Sequence, residues 1–369
     1  MLIALLLMAF GVVAIASATK FDLHDRATWG TVERQLLWVG LGLAWMAVVA
    51  SLDYHVWPRW AWPLYAFGLG LLALVLVAGV TSRGAARWVN IGPFTLQPAE
   101  FMKVIVIVAL AAYYAPREAM FRTWSGLLAA GVWLLPPAAL VLKQPDLGST
   151  LVLCAITAGL WYLAGMPGAR LLALAAAGVG SVAALMYAFL HGLVPPSAVP
   201  FLHDYQIRRL LVFLHPGADK LGAGYHVWQS MLAIGSGGLF GQGLANGALN
   251  QYDYLPESQT DFIFAVVGED MGFAGAMALV VLEALLIWRV FRIAASARDR
   301  EGALLAGGTG VMLLFQLLVN VGMTIGLMPV TGIPLPFISY GGSSLLANAW
   351  ALGIVLSVGM RRHKLLFGR

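Results

Sequence analysis

The sequence predicts an all-α polytopic membrane protein, with ten transmembrane helices in a single integral domain spanning 1–369. Three observations carry this. Of the 369 residues, 60% are hydrophobic and only 11% charged, whereas a soluble domain has about 25% charged. Apolar runs recur near the ~20 residues that an α-helix needs to cross a bilayer. The runs are continuous rather than alternating, which selects helices over a barrel. The net charge of +5 then belongs to the membrane-flanking ends of helices and not to nucleic-acid affinity. The one cysteine, Cys154, cannot form an internal disulfide and reads as a small packing residue. No His/Cys spacing suggests zinc.

Spans are expected at 1–18, 35–52, 60–80, 98–114, 123–142, 150–164, 171–190, 262–288, 302–326 and 342–360. The first lacks the basic n-region of a signal peptide and is followed by further spans, so it reads as a span itself. An even number puts both termini on one side. The tail residues Arg361, Arg362, Lys364 and Arg369, with Arg289, Arg292, Arg298 and Arg300 before span nine, make that side cytoplasmic. Short loops on the other side hold about half as many cations.

Two segments on the outer side stand out. Ser82–Pro98 (SRGAARWVNIGPFTLQP) suits a headgroup-level stretch or a solvated loop with an aromatic anchor. The 191–260 stretch is too long for a structureless loop and is expected to form a partly helical extracellular cap between spans seven and eight. Within it, Tyr205–Leu214 places Arg208 and Arg209 among apolar residues, as an interfacial helix would. Val227–Leu239 is too short and glycine-broken to span, so it is re-entrant or packed over the bundle.

Charged residues at the edge of hydrocarbon are the candidates for chemistry. Asp261 stands where polar PESQTD turns into apolar FIFAVV. It suits a general base or a metal ligand, and equally a helix cap supplied by Thr260 or Asp261. Glu100 and Lys103, at i,i+3, share a helix face and can pair, either to order the bundle or to hold an anionic substrate group. In KQPDLG, Lys143 and Asp146 precede span six, and capping explains Asp146. Glu269 and Asp270 point to different faces of span eight, so at least one should face the interior and be paired or protonated. Glu283 is expected to snorkel to the cytoplasmic interface. Before span ten, Gly341–Ser344 allows close backbone approach. These charges gather in the outer half, which suits work on a lipid-borne substrate better than a proton or ion pathway.

LPESQTDFIFAVVGEDMG resembles the signature of the SEDS family (shape, elongation, division and sporulation). RGAARWVNIGPFTLQPAEFMK, KQPDLGSTLV, IGSGGLFGQG and NVGMTIGLMPVTGIPLPFISYGGSS look like further family motifs in family order. The IGSGGL, QPDLG and GMTIGLMPVTGIPLPF forms are more like the elongation member than the division member. Gln259 replaces a common His, and Asp270 and Met271 replace a Glu and a Leu. The resemblance implies a peptidoglycan glycosyltransferase that polymerises lipid II at the outer face of the bacterial cytoplasmic membrane, with a class B penicillin-binding protein as partner. The family's essential aspartate maps onto Asp261, and its intramembrane pair onto Glu100 and Lys103.

Lipid II is α-linked and the glycan β-linked, so a single inversion suffices and one carboxylate can take the acceptor's proton. Arg83, Arg87, Lys103, Lys143, Arg208 and Arg209 are the cations available for the departing pyrophosphate, with Asp146, Thr260 and Ser343 as supporting polar groups. A divalent cation, Mg or Mn, with Asp261 as ligand, would serve the same need. A lipid II flippase and a scaffold for cell-wall synthases are the competing expectations.

Overall fold

The computed structural model describes residues 1–21, 29–82, 85–92, 94–117, 120, 123–124, 126, 131–190, 193, 224–252 and 254–362. Arg83, Arg208, Arg209 and the expected interfacial helix at Tyr205–Leu214 lie outside them. The helices are α1 Leu2–Ala18, α2 Trp29–Ser51, α3 Val56–Arg59, α4 Ala61–Ala78, α5 Pro98–Tyr114, α6 Leu135–Lys143, α7 Leu147–Leu163, α8 Gly168–Leu190, α9 Tyr225–Ser236, α10 Ala248–Gln251, α11 Ile263–Ala295, α12 Arg300–Thr324 and α13 Gly342–Met360. Six of them, α2, α4, α8, α11, α12 and α13, are long and apolar enough to cross a membrane, and α1 and α7 are shorter apolar helices. The chain is an integral membrane protein. Most helix bounds fall within a few residues of the expected spans, but α2 begins six residues earlier than 35. Within the expected span at 123–142 the structure gives α6, which starts at Leu135 and carries Pro136 and Pro137 in its first turn, where proline is tolerated.

The fold is mostly helical, as expected, with one small sheet in the segment before α5. Val80–Ser82 (β1), Ala85–Ile91 (β2) and Phe94–Leu96 (β3) form an antiparallel sheet in the order β1-β2-β3. The pairing Ile91↔Phe94 closes a tight turn through Gly92 at φ +60°. The expected loop therefore satisfies its backbone groups within itself as a small ladder.

We call the end of the bundle where α2, α5, α7 and α13 begin the upper end. Helix α5 is buried on nearly every face, as a helix that is apolar all round must be. It packs against α4, α7, α12 and α13. Helices α2 and α13 run parallel: Gly342 sits on Trp38, Gly42 on Leu345 and Gly353 on Val49. At the lower end, helix C-termini are closed by distant cations. Arg361 donates to the carbonyls of Ala50 (3.3 Å) and Ser51 (2.7 Å), and Arg300 donates to Ala164 O at 2.6 Å. Asp299 caps α12 through Gly302 N at 2.8 Å and also receives the Tyr54 hydroxyl and His55 Nε2 (3.0 Å).

Helix α11 departs most from expectation. Its 33 residues, unbroken, would extend about 50 Å, well beyond a hydrocarbon core of ~30 Å. Gly272, at φ 65° and ψ −165°, breaks it and leaves Phe273–Ala295 as a piece of about 34 Å. The freed backbone groups find partners in the loop after α9. Phe273 and Ala274 donate to Gly238 O (2.9 Å) and Leu239 O (3.0 Å), and Gln242 and Gly243 donate to Glu269 O and Asp270 O, both at 3.0 Å. The segment expected as re-entrant or packed is thus α9 and its loop, laid against α11. Glu269 and Asp270 are both buried. Glu269 accepts from Leu249 N (2.7 Å) and Asn250 N (3.3 Å), and Asp270 accepts from the Ser17 hydroxyl. Glu283 does not reach an interface. It is fully buried in α11, because the piece that spans starts at Phe273 and places it near the middle. Cys154 faces outward from the bundle rather than packing within it.

Candidate active site

Asp261 is half-buried in the turn that leads into α11. No side chain caps that helix, whose N-cap is Phe262, so the expected capping by Thr260 or Asp261 is not observed. The turn folds around Glu257, which adopts φ +55°, a left-handed conformation uncommon away from glycine. The Glu257 carbonyl accepts from Thr260 N (3.1 Å) and Phe262 N (3.2 Å), and its carboxylate accepts from Thr260 Oγ1 at 3.1 Å.

Three successive carbonyls of this turn are held from outside it. Tyr340 N donates to Gln259 O at 2.9 Å. Ser339 Oγ donates to Thr260 O at 2.7 Å and accepts from Leu335 N at 2.8 Å. Asn320 Nδ2 donates to Asp261 O at 3.0 Å and to Ile333 O at 2.8 Å. Opposite the carboxylate stands Gly332, at φ +73°, where a Cβ would lie 3.3 Å from Asp261 Oδ2.

From Gly332 the contacts continue through the upper end. Gly148, in the first turn of α7, abuts the Thr331 carbonyl. Asp146 is the N-cap of α7. It accepts from Ser149 N (3.0 Å), Ser149 Oγ (2.9 Å) and Gln97 Nε2 (3.2 Å), as its expected capping role requires. Gln97, the N-cap of α5, donates its N–H to Ser343 Oγ in the first turn of α13 at 2.9 Å. The N-termini of α5, α7, α11 and α13 therefore meet around the Asp261 turn. Asp146 already occupies the α7 end and Glu100 lies in the first turn of α5, whereas the first turns of α11 and α13 carry no acidic side chain. The positive ends of those two helix dipoles favour an anion.

The expected Glu100–Lys103 pair forms, with Nζ to Oε1 at 2.7 Å and both residues buried in the first turns of α5. Arg87 is engaged elsewhere. Its Nε donates to Gln144 O at 3.1 Å and its Nη2 to Pro145 O, tying the sheet to the α6–α7 turn. Lys143 is exposed in the last turn of α6. The structure thus joins Asp261, Thr260, Asp146 and Ser343 in one network, with Glu100 and Lys103 just below Gln97. Sequence reading missed Glu257, Gln97, Asn320 and Ser339 as parts of it. Asn320 carried a signal, being a carboxamide inside an apolar run.

Among the described residues, no group of three or more His, Cys, Asp or Glu side chains could hold a metal ion.

Comparison with known proteins agrees with this architecture. Residues 1–364 match the family model for FtsW, RodA and SpoVE, described as a cell cycle protein. The probable peptidoglycan glycosyltransferase FtsW of Trichlorobacter lovleyi is 37% identical over 365 residues, covering 97% of this chain and 91% of the relative. The peptidoglycan glycosyltransferase MrdB of Escherichia coli K12 is also 37% identical, covering 99% and 94%. A solved structure, described as structural coordination of polymerization and crosslinking by a peptidoglycan synthase complex, superposes with a TM-score of 0.80 at 32% identity, covering 98% of this chain and 97% of that one. The chain belongs to the FtsW/RodA/SpoVE family, the SEDS family.

Proposed function

We propose that this family member is a peptidoglycan glycosyltransferase that polymerises lipid II into glycan strands at the outer face of the bacterial cytoplasmic membrane. The observation that carries the reading is the meeting of four helix N-termini around a turn whose carboxylate-bearing residue is pinned through its backbone. An electropositive cradle beside a fixed carboxylate matches the two needs of the reaction. A sugar hydroxyl attacks the anomeric carbon of a lipid-linked sugar as the pyrophosphate leaves from the opposite side. Asp261 takes the hydroxyl's proton, help worth typically about 10²–10⁴-fold. The helix N-termini and Lys103 stabilise the charge that develops on the pyrophosphate. In the alternative role Asp261 would hold a divalent cation that neutralises the leaving group, and would not itself take the proton.

In this reading the chain crosses the membrane ten times, both termini are cytoplasmic and the upper end faces outward; of the cap expected at 191–260, residues 191–192, 194–223 and 253 lie outside the described residues. The partner is a class B penicillin-binding protein that cross-links the product, in keeping with the polymerising and crosslinking complex to which the fold is similar. A role in elongation rests on the IGSGGL and QPDLG motifs, since relatives named FtsW and MrdB are equally identical.

The test is polymerisation of lipid II by the purified chain, with and without a class B partner, comparing wild type and Asp261→Asn. Polymer from wild type and none from the folded variant is expected. Polymer from Asp261→Asn at the wild-type rate sinks the role of Asp261. If neither preparation polymerises even with the partner, the transferase reading fails and lipid II translocation is measured next.

A further inference from the structure

Asn320 lies in α12, one turn before that helix ends, and is fully buried. A carboxamide is costly to bury unless its groups are bonded, and the Asn320 Oδ1 has no hydrogen-bond partner among the described residues. The position therefore holds a polar side chain at a cost, and its Nδ2 donates to carbonyls of two other segments, Asp261 and Ile333. Ile333 follows Gly332, the residue that faces the Asp261 carboxylate. One side chain on a 25-residue helix therefore sets the spacing between the acid-bearing turn and the wall opposite it. Ser339 holds the adjacent carbonyl, that of Thr260, in the same way.

We infer that Asn320 is a positioning residue of the proposed transfer. It fixes the Asp261 backbone so that the carboxylate stands where the acceptor hydroxyl arrives, without touching substrate itself. The inference rests on the reading of Asp261 given above. A tie that served packing alone would affect how much protein folds and when it melts. A positioning tie affects turnover of molecules that are already folded, because a displacement of about 1 Å at a reacting group costs on the order of 10²-fold in rate.

The test uses Asn320→Leu, which keeps the branching of the side chain and removes both donor bonds. The full-length chain is purified with its class B partner, folded material is isolated, and lipid II polymerisation is followed as a function of lipid II concentration. Expected is a fall in kcat of about 10²-fold with KM within about twofold of wild type. A kcat within about twofold of wild type, or a rise in KM alone, overturns the inference. If Asn320→Leu does not fold, Ser339→Ala carries the test, since it removes one donor to the neighbouring carbonyl. A fall in kcat of about tenfold is then expected, and an unchanged kcat overturns the inference. Asp261→Asn is measured in parallel. If it polymerises like wild type, the reading of Asp261 fails and this inference with it. If it is inactive while Asn320→Leu turns over normally, only this inference fails.

Discussion

Replacing Gly272 with alanine should destabilise the fold around the break in α11, and the structure sets the size of the effect. Gly272 occupies φ 65°, ψ −165°, a region nearly closed to residues with a Cβ, at a cost of about 1–3 kcal/mol. The new methyl would also lie 2.6 Å from Phe240 N and 2.7 Å from Leu239 C, and closer still to Gly241 N. These are backbone atoms and cannot rotate away. Relief requires moving the loop off the break, which gives up bonds from Phe273, Ala274, Gln242 and Gly243 worth about 1 kcal/mol each. The combined loss is roughly 5–7 kcal/mol. Thermal unfolding in detergent, read by tryptophan fluorescence, should show the midpoint falling by about 10–14 °C, at about 2 °C per kcal/mol. Gly235→Ala is the control: it lies in α9 with open space around its Cβ position, and alanine there favours the helix by up to about 1 kcal/mol. A Gly272→Ala midpoint within about 2 °C of wild type would show that the break is not clamped as described.

Two further outcomes are expected. Lys103→Met leaves the Glu100 carboxylate buried without its 2.7 Å partner and should destabilise by about 3–5 kcal/mol, while the Glu100→Gln/Lys103→Met pair should recover most of that. An unchanged melting temperature for the single variant would remove the ion pair from the account, and a stable but inactive double variant would assign Lys103 to the substrate. At the lower end, burial lowers the pKa of His55, but its hydrogen bond to Asp53 (2.6 Å) and the charges of Asp299 and Asp53 outweigh this and raise it. The backbone N–H of His55 holds Asp53 down. Burial raises Asp299, but the bonds from Gly302 and Tyr54 bring it below its usual value. The carboxylates' contribution to stability is therefore present above the ordinary 3.8 and lost as pH falls through their lower folded values. That of His55 is full below 6.5 and lost as pH rises through its raised folded value. Melting temperatures measured between pH 5 and 9 should decline above that point in wild type and less so in His55→Gln, and parallel curves would exclude the clasp.

The apolar runs of α4, α5, α12 and α13 were legible because period and length alone specify a spanning helix. Asp146 and the Glu100–Lys103 pair were legible because capping and i,i+3 contact are local rules. What escaped depends on distant partners. Gly272 reads as an ordinary helix glycine until the loop at Gly238–Gly243 is placed against it. The AARWVNI strand alternates too weakly to be seen beside its Gly and Arg neighbours. Glu283 could be assigned to an interface or to the interior only once the break in α11 fixed its depth. Asn320 and Ser339 acquire meaning only from the carbonyls of Asp261 and Thr260, which lie 59 and 79 residues away.

The Arg361 cap on α2 has a consequence for how the molecule is made. The ribosome delivers α2 some 310 residues before the side chain that closes its end. Until α13 follows, the face of α2 that will receive it meets lipid, and the carbonyls of Ala50 and Ser51 wait for their donor. The early helices therefore persist as independent insertions and associate with α13 afterwards, as membrane helices that insert first and associate second would. A ribosome that stops before Gly342 would leave α5, with its buried acid and amine, open along the side that α13 covers.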